Sequence, residues 1–374
     1  MSTRDLLHLT ENFTNRINRR QIIGSLEKAL EITNLVQTIV NSTRWEDLSN
    51  LLYLIKFTGQ QIVRAHPKDL VLFNVICRMI HLVRTEAENA PIFQNNSNDN
   101  SLFTPTGTGV STPKMGLGQS NLGSSSKLVD LLDVNLSKKN QSSVTFRTNL
   151  KNCITQGIND FIEELEGSRA NIASHALDHV HEIILTCGYS RTVERFFKKA
   201  AIKRKFTVII AETAPWYSGH KLAASLASLN IETIIISDSA VFAMMSRVNK
   251  VIIGTKIVMA NGGLIACAGS QMIAAAAKYH SIPVVVCASL YKLSPVFPFG
   301  QDNLNELEAP DGIFPYKDEI VDQIDVLNPS TDYVAPELID ILVDHLGSHL
   351  PSYLYRLLQE NYHPDDLRAL GAQL

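Results

Sequence analysis

The sequence predicts an α/β protein in which an N-terminal α-helical bundle is followed by a doubly wound, parallel-sheet domain. Apolar residues recur three and four positions apart through residues 1–92, which is typical of amphipathic helices. From Ile183 onward, short apolar runs alternate with helical patterns, and this alternation indicates parallel strands joined by crossover helices. The length of 374 residues favours two domains, because a single core rarely grows beyond about 250–300 residues.

The first domain, 1–92, is predicted to be a bundle of amphipathic helices with short connections. Its helices are expected at Asp5–Asn18, Arg20–Asn41, Trp45–Arg64 and Asp69–Glu88. Asn41-Ser42-Thr43 offers a break with a new N-cap, and His66-Pro67 ends the third helix. The bundle should therefore bury one apolar stripe from each helix.

The next segment, 93–127, is predicted to be a disordered linker, because it is rich in Asn, Ser, Gly, Thr and Pro and has few apolar anchors. Residues 128–181 are expected to be a helical continuation that joins the domains. Its clearest helical pattern is Ser142–His181, with an interruption at Gly167-Ser168.

The α/β domain is predicted at 182–362, organised around Lys250–Gly269. There, Lys250–Gly254 is typical of a buried parallel strand, and Ala260-Asn261-Gly262-Gly263 is a turn signal. Strands are expected at Ile183–Thr186, Phe206–Ala211, Glu232–Ile236, Val251–Gly254 and Pro283–Ala288. Helices are expected at Thr192–Ala201, His220–Leu229, Ser239–Arg247, Ser270–His280, Pro336–Leu346 and Pro351–Asn361.

The composition is that of an ordinary globular protein and excludes some classes of partner. With 34 basic and 37 acidic side chains the net charge is -3, which argues against bulk binding of nucleic acid or an anionic membrane surface. The five cysteines form no C-x-x-C pair, so we expect reduced thiols of a cytosolic protein. The first residues lack the apolar core of a signal peptide, and no apolar run approaches the roughly 20 residues of a membrane span.

Small and polar residues follow the predicted strands, where ligands bind in parallel sheets. The candidate crevice comprises Gly188, Glu212, Asp238, Lys256, Asn261 and Gly262. Backbone N–H groups at the glycine turn could favour an anion, although the glycines could equally serve only the tight turn. Glu212 and Asp238 could form an acid–base pair, or Asp238 could simply cap the following helix.

Three other features each have a functional and a structural interpretation. Cys187 could be a nucleophile or a buried structural thiol. His175 and His179 could share a helix face and bind a metal, but no third ligand is evident. The basic residues Lys198, Lys199, Lys203, Arg204 and Lys205 could bind an acidic partner or form a solvated helix end. No nucleotide-binding glycine motif occurs, and we predict no cofactor and no metal.

Motifs spread along the chain resemble those of a known family. They are Glu164–Gly167, Gly188–Val193, Ala211–Pro215, Met245–Thr255, Leu293–Pro295, Asp332–Ile339, Pro351–Tyr353 and Tyr362–Asp366, together with Arg44-Trp45. They are similar to the alpha, beta and delta subunits of eukaryotic translation initiation factor 2B. The run Ser246–Val251 and the Tyr362–Asp366 motif resemble the beta branch of that family. The resemblance covers nearly the whole chain apart from the linker.

The resemblance implies a helical domain followed by a Rossmann-like domain, in a non-catalytic regulatory subunit of the guanine nucleotide exchange factor for initiation factor 2. The implied partners are the alpha, gamma, delta and epsilon subunits and the alpha subunit of factor 2, whose phosphorylation the complex senses. The implied location is the cytosol, with no direct nucleic-acid or membrane contact. By the same resemblance, Asn152 and His181 are candidate subunit-interface residues, although each could be an ordinary polar helix residue.

The same superfamily includes isomerases of methylthioribose-1-phosphate and of ribose-1,5-bisphosphate. The resemblance implies that these enzymes use a catalytic Cys and a catalytic Asp. In Thr186-Cys187-Gly188, anchored on Thr186, Gly188 takes the place of the catalytic Cys. In Gly254-Thr255-Lys256, Lys256 takes the place of the Asp. A one-residue slip would restore Cys187 but not the missing carboxylate. A sugar-phosphate isomerase is therefore the alternative function, and a degenerate isomerase that still binds a sugar phosphate or nucleotide is a third possibility.

Overall fold

The computed structural model describes residues 3–43, 45, 47–89, 126–298, 305–317 and 323–370. The predicted linker lies outside the described residues except for its last two positions, which begin a helix. The helices are α1 Thr3–Asn18, α2 Ser25–Ser42, α3 Leu48–Ala65, α4 Leu70–Asn89, α5 Ser126–Ser174, α6 Ala176–His179, α7 Arg191–Ala201, α8 Ser218–Ala227, α9 Val241–Met245, α10 Ser270–Tyr279, α11 Leu354–Asn361 and α12 Pro364–Ala369. The strands are β1 Ile183–Cys187, β2 Thr207–Ala211, β3 Glu232–Ile236, β4 Lys250–Gly254, β5 Ile257–Val258, β6 Leu264–Cys267, β7 Val284–Cys287, β8 Thr331–Val334, β9 Ile341–Val343 and β10 Ser348–His349.

Helices α1–α4 form a bundle around α4, and the long helix α5, which was expected only to join the domains, packs in the bundle as well. Helix α4 packs against α2, α3 and α5, and most of its residues are buried because it is covered on several sides. The second helix begins at Ser25 and not at Arg20 as predicted. Arg20 and Gly24 both have positive φ, at 53° and 111°, which is incompatible with an uninterrupted right-handed helix.

Helix α5 connects the bundle to the α/β domain without the interruption predicted at Gly167-Ser168. A Cβ at Gly167 would meet only the Asn171 side chain, at 3.7 Å, so this glycine occupies an ordinary helical position. The Ser168 hydroxyl donates to the Leu165 carbonyl oxygen at 2.7 Å within the helix. Helix α5 packs on α2 and α4 in the bundle and on α7 in the α/β domain, so it couples the two cores.

The α/β domain contains a seven-stranded sheet in the order β10-β9-β7-β4-β1-β2-β3. All described strand pairs in it are parallel except β10 with β9. The central strands are buried on both faces, whereas β3 at the edge is largely exposed. Layers of apolar side chains on the two faces of this sheet form two further hydrophobic cores. The predicted α/β fold class is confirmed.

The stretch Lys250–Gly269 contains a β-hairpin that the sequence did not predict. Strands β5 and β6 pair antiparallel, and β6 pairs with β8 to form a small second sheet. The Ala260–Gly263 turn therefore closes a hairpin between β5 and β6. It does not lead directly from a strand into the crossover helix. Positive φ at Gly262, 87°, is what this turn requires.

The helix predicted at Pro336–Leu346 is wrong. Pro336–Leu338 forms a single 3-10 turn, and the apolar run Ile341–Val343 becomes strand β9 beside β7. A short run of β-branched and Leu side chains suits the buried sheet better than a helix. Only the second part of the last predicted helix is α-helical, because Pro351–Tyr353 forms another 3-10 turn before α11.

The C-terminal motif attaches the α/β domain to the bundle. The Tyr362 hydroxyl donates to the Leu293 carbonyl oxygen at 2.6 Å. The Asp366 carboxylate, 1% exposed, pairs with Lys56 at 2.8 Å and with Arg84 at 2.7 Å on α3 and α4. Across the described ranges, no helix is long and apolar enough to cross a membrane.

Candidate functional site

The predicted crevice residues fall into two groups. Gly188, Glu212 and Asp238 follow β1, β2 and β3, and the parallel register of these strands brings their ends to one edge of the sheet. Lys256 and the turn residues Asn261 and Gly262 belong to the small second sheet. The structure therefore brings Gly188, Glu212 and Asp238 close together. Lys256, Asn261 and Gly262 have a different set of neighbours.

Gly188 lies where the chain leaves β1 and could not be another residue without local change. Its φ is +62°, and a Cβ there would lie 2.9 Å from the Cys267 sulfur. Its N–H donates to the Thr213 hydroxyl oxygen at 2.9 Å. Gly188 thus joins the end of β1 to the loop after β2 through its backbone.

Asp238 is engaged by the backbone of the neighbouring loop. Its two carboxylate oxygens accept from the N–H groups of Thr213 at 3.0 Å and Ala214 at 2.7 Å. Glu212 lies with one oxygen 3.9 Å from the His220 ring. Asp238 therefore accepts hydrogen bonds from backbone N–H groups of the loop after β2. It does not cap the helix that follows it in the chain.

A second carboxylate caps the start of helix α10. One oxygen of Asp332, on β8, accepts from the N–H groups of Gly269 at 2.7 Å and Gln271 at 3.3 Å. Such N–H groups at a helix N-terminus are the donors that a phosphate would use. Asp332 belongs to a family motif, but the sequence did not predict this role, because the contact joins residues more than 60 positions apart.

The remaining crevice candidates make contacts in and around the hairpin. The Lys256 ammonium pairs with Glu306 at 3.0 Å. The Asn261 amide donates to the Tyr333 hydroxyl at 2.7 Å, and its oxygen accepts from the Gly263 N–H at 2.9 Å. Gly262 packs near Pro336, Pro351 and Leu354. These contacts hold the turn against the C-terminal part of the chain.

The histidines of the helix before β1 do not converge on one point. The His179 ring lies 2.6 Å from the Ser348 hydroxyl on β10, and burial lowers the pKa of His179. His181 is exposed just before β1, and Asn152 is exposed on α5. Within the described ranges, no group of three His, Cys, Asp or Glu side chains is arranged to hold a metal.

The basic cluster after α7 is partly structural. Lys198 forms an ion pair with Glu194 at 2.6 Å one helical turn away. The Arg204 guanidinium donates to the Val180 carbonyl oxygen at 2.7 Å and so ties the helix end to the start of β1. These contacts favour the interpretation of the cluster as a solvated helix end.

Comparison with known proteins identifies the family. A model of the initiation factor 2 subunit family matches residues 21–351. Translation initiation factor eIF2B subunit beta of Dictyostelium discoideum is 39% identical, with 96% of each chain covered. The Schizosaccharomyces pombe protein of the same name is 35% identical, with 94% of each chain covered.

The chain belongs to the initiation factor 2 subunit family. This confirms the family to which the sequence motifs pointed. Crystal structures of family members agree: eIF2B beta from Chaetomium thermophilum matches with a TM-score of 0.70 at 28% identity, covering 96% of this chain and 94% of that one. The tetrameric eIF2B-beta2-delta2 complex from C. thermophilum matches with a TM-score of 0.65 at 26% identity, covering 96% and 95%.

The likeness extends to an enzyme at the level of fold. The 5-methylthioribose 1-phosphate isomerase of Pyrococcus horikoshii OT3 matches with a TM-score of 0.55 at 15% identity, covering 94% of this chain and 86% of that one. At this identity the match shows a shared fold alone. The chemistry of this initiation factor 2 subunit family member must therefore be argued from its own residues.

The family motifs occupy structural positions in this fold. In the motif Ser246–Val251, the Asn249 side chain accepts from the Ile183 N–H at 2.9 Å, and the Asn249 N–H donates to the Ile183 carbonyl oxygen at 2.9 Å. This double contact ties the loop before β4 to the start of β1. The motif therefore sets the spacing of two central strands.

The outer edge of the sheet carries an exposed apolar surface. We name it the β3 face and define it by Leu229, Ile234, Ile235, Phe242 and Tyr279, which lie along the β3 edge. Ile234 and Ile235 point to opposite sides of the sheet, because successive side chains of a strand alternate. Ile235 is 47% exposed, Phe242 is 53% exposed, and the Phe242 and Tyr279 rings pack with centroids 5.2 Å apart. An unpaired edge strand flanked by exposed aromatic rings is typical of an interaction surface.

Proposed function

We propose that this family member is a non-catalytic regulatory subunit of the guanine nucleotide exchange factor for translation initiation factor 2. The observation that carries the proposal is that the chain's own carboxylates occupy the backbone donors at the carboxyl edge of the sheet. Asp332 binds two N–H groups at the start of α10, and Asp238 binds two N–H groups in the loop after β2. A sugar phosphate would have to displace these bonds and approach two negative charges.

The residues at the positions of isomerase chemistry support the same conclusion. Gly188 carries no side chain where the isomerases are expected to have a thiol, and Lys256 pairs with Glu306 where they are expected to have a carboxylic acid. Proton transfer between two sugar carbons needs a positioned acid and base. The alternative function, sugar-phosphate isomerisation, lacks both groups at those positions.

The proposed role is scaffolding through the β3 face. The related C. thermophilum chains form a beta2-delta2 tetramer, and we propose that this chain pairs with a delta subunit in the same way. Exposed apolar and aromatic side chains supply the contact area that such an interface needs. We propose that Asn152 and His181 lie at subunit contacts as well, since both side chains are exposed.

The remaining proposed partners are the alpha, gamma and epsilon subunits and the alpha subunit of factor 2. In this proposal the helical bundle presents part of the surface that factor 2 docks on. Phosphorylation of a serine adds about −1.5 to −2 charges and three acceptor oxygens, which is enough to remodel a docking surface. The complex would work in the cytosol, where translation initiation takes place.

Copurification from cytosol tests the proposal. The tagged chain should recover the other four exchange-factor subunits and factor 2, identified by mass spectrometry. Ile235→Asp places a charge in the β3 face and should remove the delta subunit from the recovered set. The matched control is Ile23→Asp, which changes an isoleucine of the helical bundle that is more exposed, at 66% against 47% for Ile235. Recovery of a homodimer alone, with turnover of methylthioribose-1-phosphate, would instead support the isomerase.

A further inference from the structure

Two cysteine sulfurs meet where the two sheets of the α/β domain adjoin. Cys187 ends β1, Cys267 ends β6, and their sulfur atoms lie 3.5 Å apart. The Ser270 hydroxyl lies 3.4 Å from each sulfur and completes a triangle. Gly188 leaves room for this approach, because a Cβ there would lie 2.9 Å from the Cys267 sulfur.

The two thiols differ in access and in ionisation. Cys187 is 5% exposed, whereas Cys267 is half-buried. The hydrogen bond from the Cys187 thiol lowers the pKa of Cys267, and the same bond together with burial raises the pKa of Cys187. The Asp332 carboxylate at the start of α10 acts in the opposite direction on the pKa of Cys267, but the hydrogen bond from Cys187 has the larger effect. Cys267 is therefore the thiol that reacts first, and Cys187 is the one that follows.

We propose that Cys187 and Cys267 form a dithiol that hydrogen peroxide converts into an intramolecular disulfide. The sulfur atoms need to move about 1.5 Å closer to reach the bonded separation of about 2.05 Å, which small side-chain rotations can provide. This modification site is independent of the proposed scaffolding role. Formation of the disulfide would make the structure at the end of β1 depend on the concentration of hydrogen peroxide.

The reaction balances in two steps. The Cys267 thiolate attacks one peroxide oxygen, the O–O bond breaks, and a sulfenic acid forms with release of one water after protonation. The Cys187 sulfur then attacks the sulfenic sulfur, the S–S bond forms, the S–O bond breaks, and the Cys187 proton leaves with the hydroxide as a second water. Two thiols lose two electrons in total, and one peroxide gains them.

The bond would join the seven-stranded sheet to the small second sheet. It would link residues 80 positions apart and hold β6 against the end of β1. Asp332 pairs with the start of α10 from the neighbouring strand β8, so the bond would also restrain the helix that carries Ser270. Two of the other described thiols lie in the interior: burial raises the pKa of Cys77 and, to about 12, that of Cys287.

Thiol counting and peptide mapping test the proposal on the full chain. The reduced protein is treated with hydrogen peroxide, denatured and alkylated with N-ethylmaleimide. The number of alkylated cysteines should fall from five to three, and dithiothreitol should restore all five. A non-reduced digest should contain a peptide with Cys187 joined to one with Cys267. Because this arm uses the unmodified sequence, it does not depend on the folding of any variant.

Single substitutions separate the two steps. Cys187→Ser should leave Cys267 as a sulfenic acid that dimedone traps, and Cys267→Ser should leave Cys187 reduced. Cys153→Ser is the matched control, because Cys153 lies on α5, and it should form the same disulfide as the unmodified chain. The proposal is overturned if Cys267 is oxidised further while Cys187 stays free, or if the disulfide that forms uses Cys153 or joins two chains.

Discussion

Lys292 provides the sharpest test of the electrostatics of this fold. Its side chain lies in the interior, 7% exposed, and its ammonium donates to the Thr255 carbonyl oxygen at 2.7 Å. Burial, together with the nearby Arg169 guanidinium, lowers the pKa of Lys292 to about 8. We expect Lys292→Met to change how the free energy of unfolding depends on pH.

The sign follows from proton linkage. The pKa in the fold is below the unfolded value of about 10.5, so the unfolded chain binds more protons between pH 8 and pH 10.5. Stability from this group therefore rises with pH across that window. At pH 7 the buried, charged Lys292 lowers the free energy of unfolding by about 3 kcal/mol. By pH 10, deprotonation removes roughly 2 to 3 kcal/mol of this destabilisation.

Urea unfolding at pH 7 and at pH 10, followed by circular dichroism, gives the required comparison. The difference in stability between the unmodified chain and Lys292→Met should shift by roughly 2 to 3 kcal/mol between the two pH values. Lys278→Met, at an exposed position on α10, is the matched control and should show no such shift. If the stability difference between the unmodified chain and Lys292→Met is the same at pH 7 and pH 10, the reasoning is refuted, because Lys292 would then have the same pKa in the folded and in the unfolded chain.

Three further substitutions test individual contacts. Asp366→Ala should lower the free energy of unfolding, measured by urea titration, by about 2 to 4 kcal/mol, because it leaves two cations without their buried partner. Asp365→Ala, at the exposed neighbouring position, should be nearly neutral in the same titration. Gly188→Ala should cost about 1 to 3 kcal/mol in thermal unfolding, because φ is +62° and Cys267 is in the way; an unchanged melting temperature would contradict this. Asp332→Ala should cost about 1 kcal/mol through loss of the cap on α10, read as faster amide exchange of Gly269, and equal exchange rates would count against the cap.

The order of the elements was readable from the sequence because it depends on local periodicity. Apolar residues three and four apart predicted α1, α3 and α4, and their ends in the structure lie within a few residues of those expected. The runs that became β1, β2, β4 and β7 were also identified, since buried parallel strands are continuously apolar. The apolar run of the exposed edge strand β3 was identified as well. The helix predicted at Pro336–Leu346 was wrong because the short apolar run Ile341–Val343 has no distinguishing period.

The candidate site was only partly predictable for a different reason. Parallel strand ends must share one edge, so Gly188, Glu212 and Asp238 could be grouped from the chain order alone. The small second sheet could not be foreseen, because pairing β6 with β8 depends on residues more than 60 positions apart. The pairing of β6 with β8 places the Asp332 carboxylate at the start of α10, where it accepts from backbone N–H groups.

The sequence alone therefore established the class of fold, the order of its elements and the family, because periodicity and motifs are local properties. Tertiary structure decided which side chains face each other across the chain. The carboxylate caps, the buried Lys292 and the pairing of Cys187 with Cys267 all arise from long-range packing. Such contacts follow from how the two sheets and the bundle close on one another, and no local pattern encodes them.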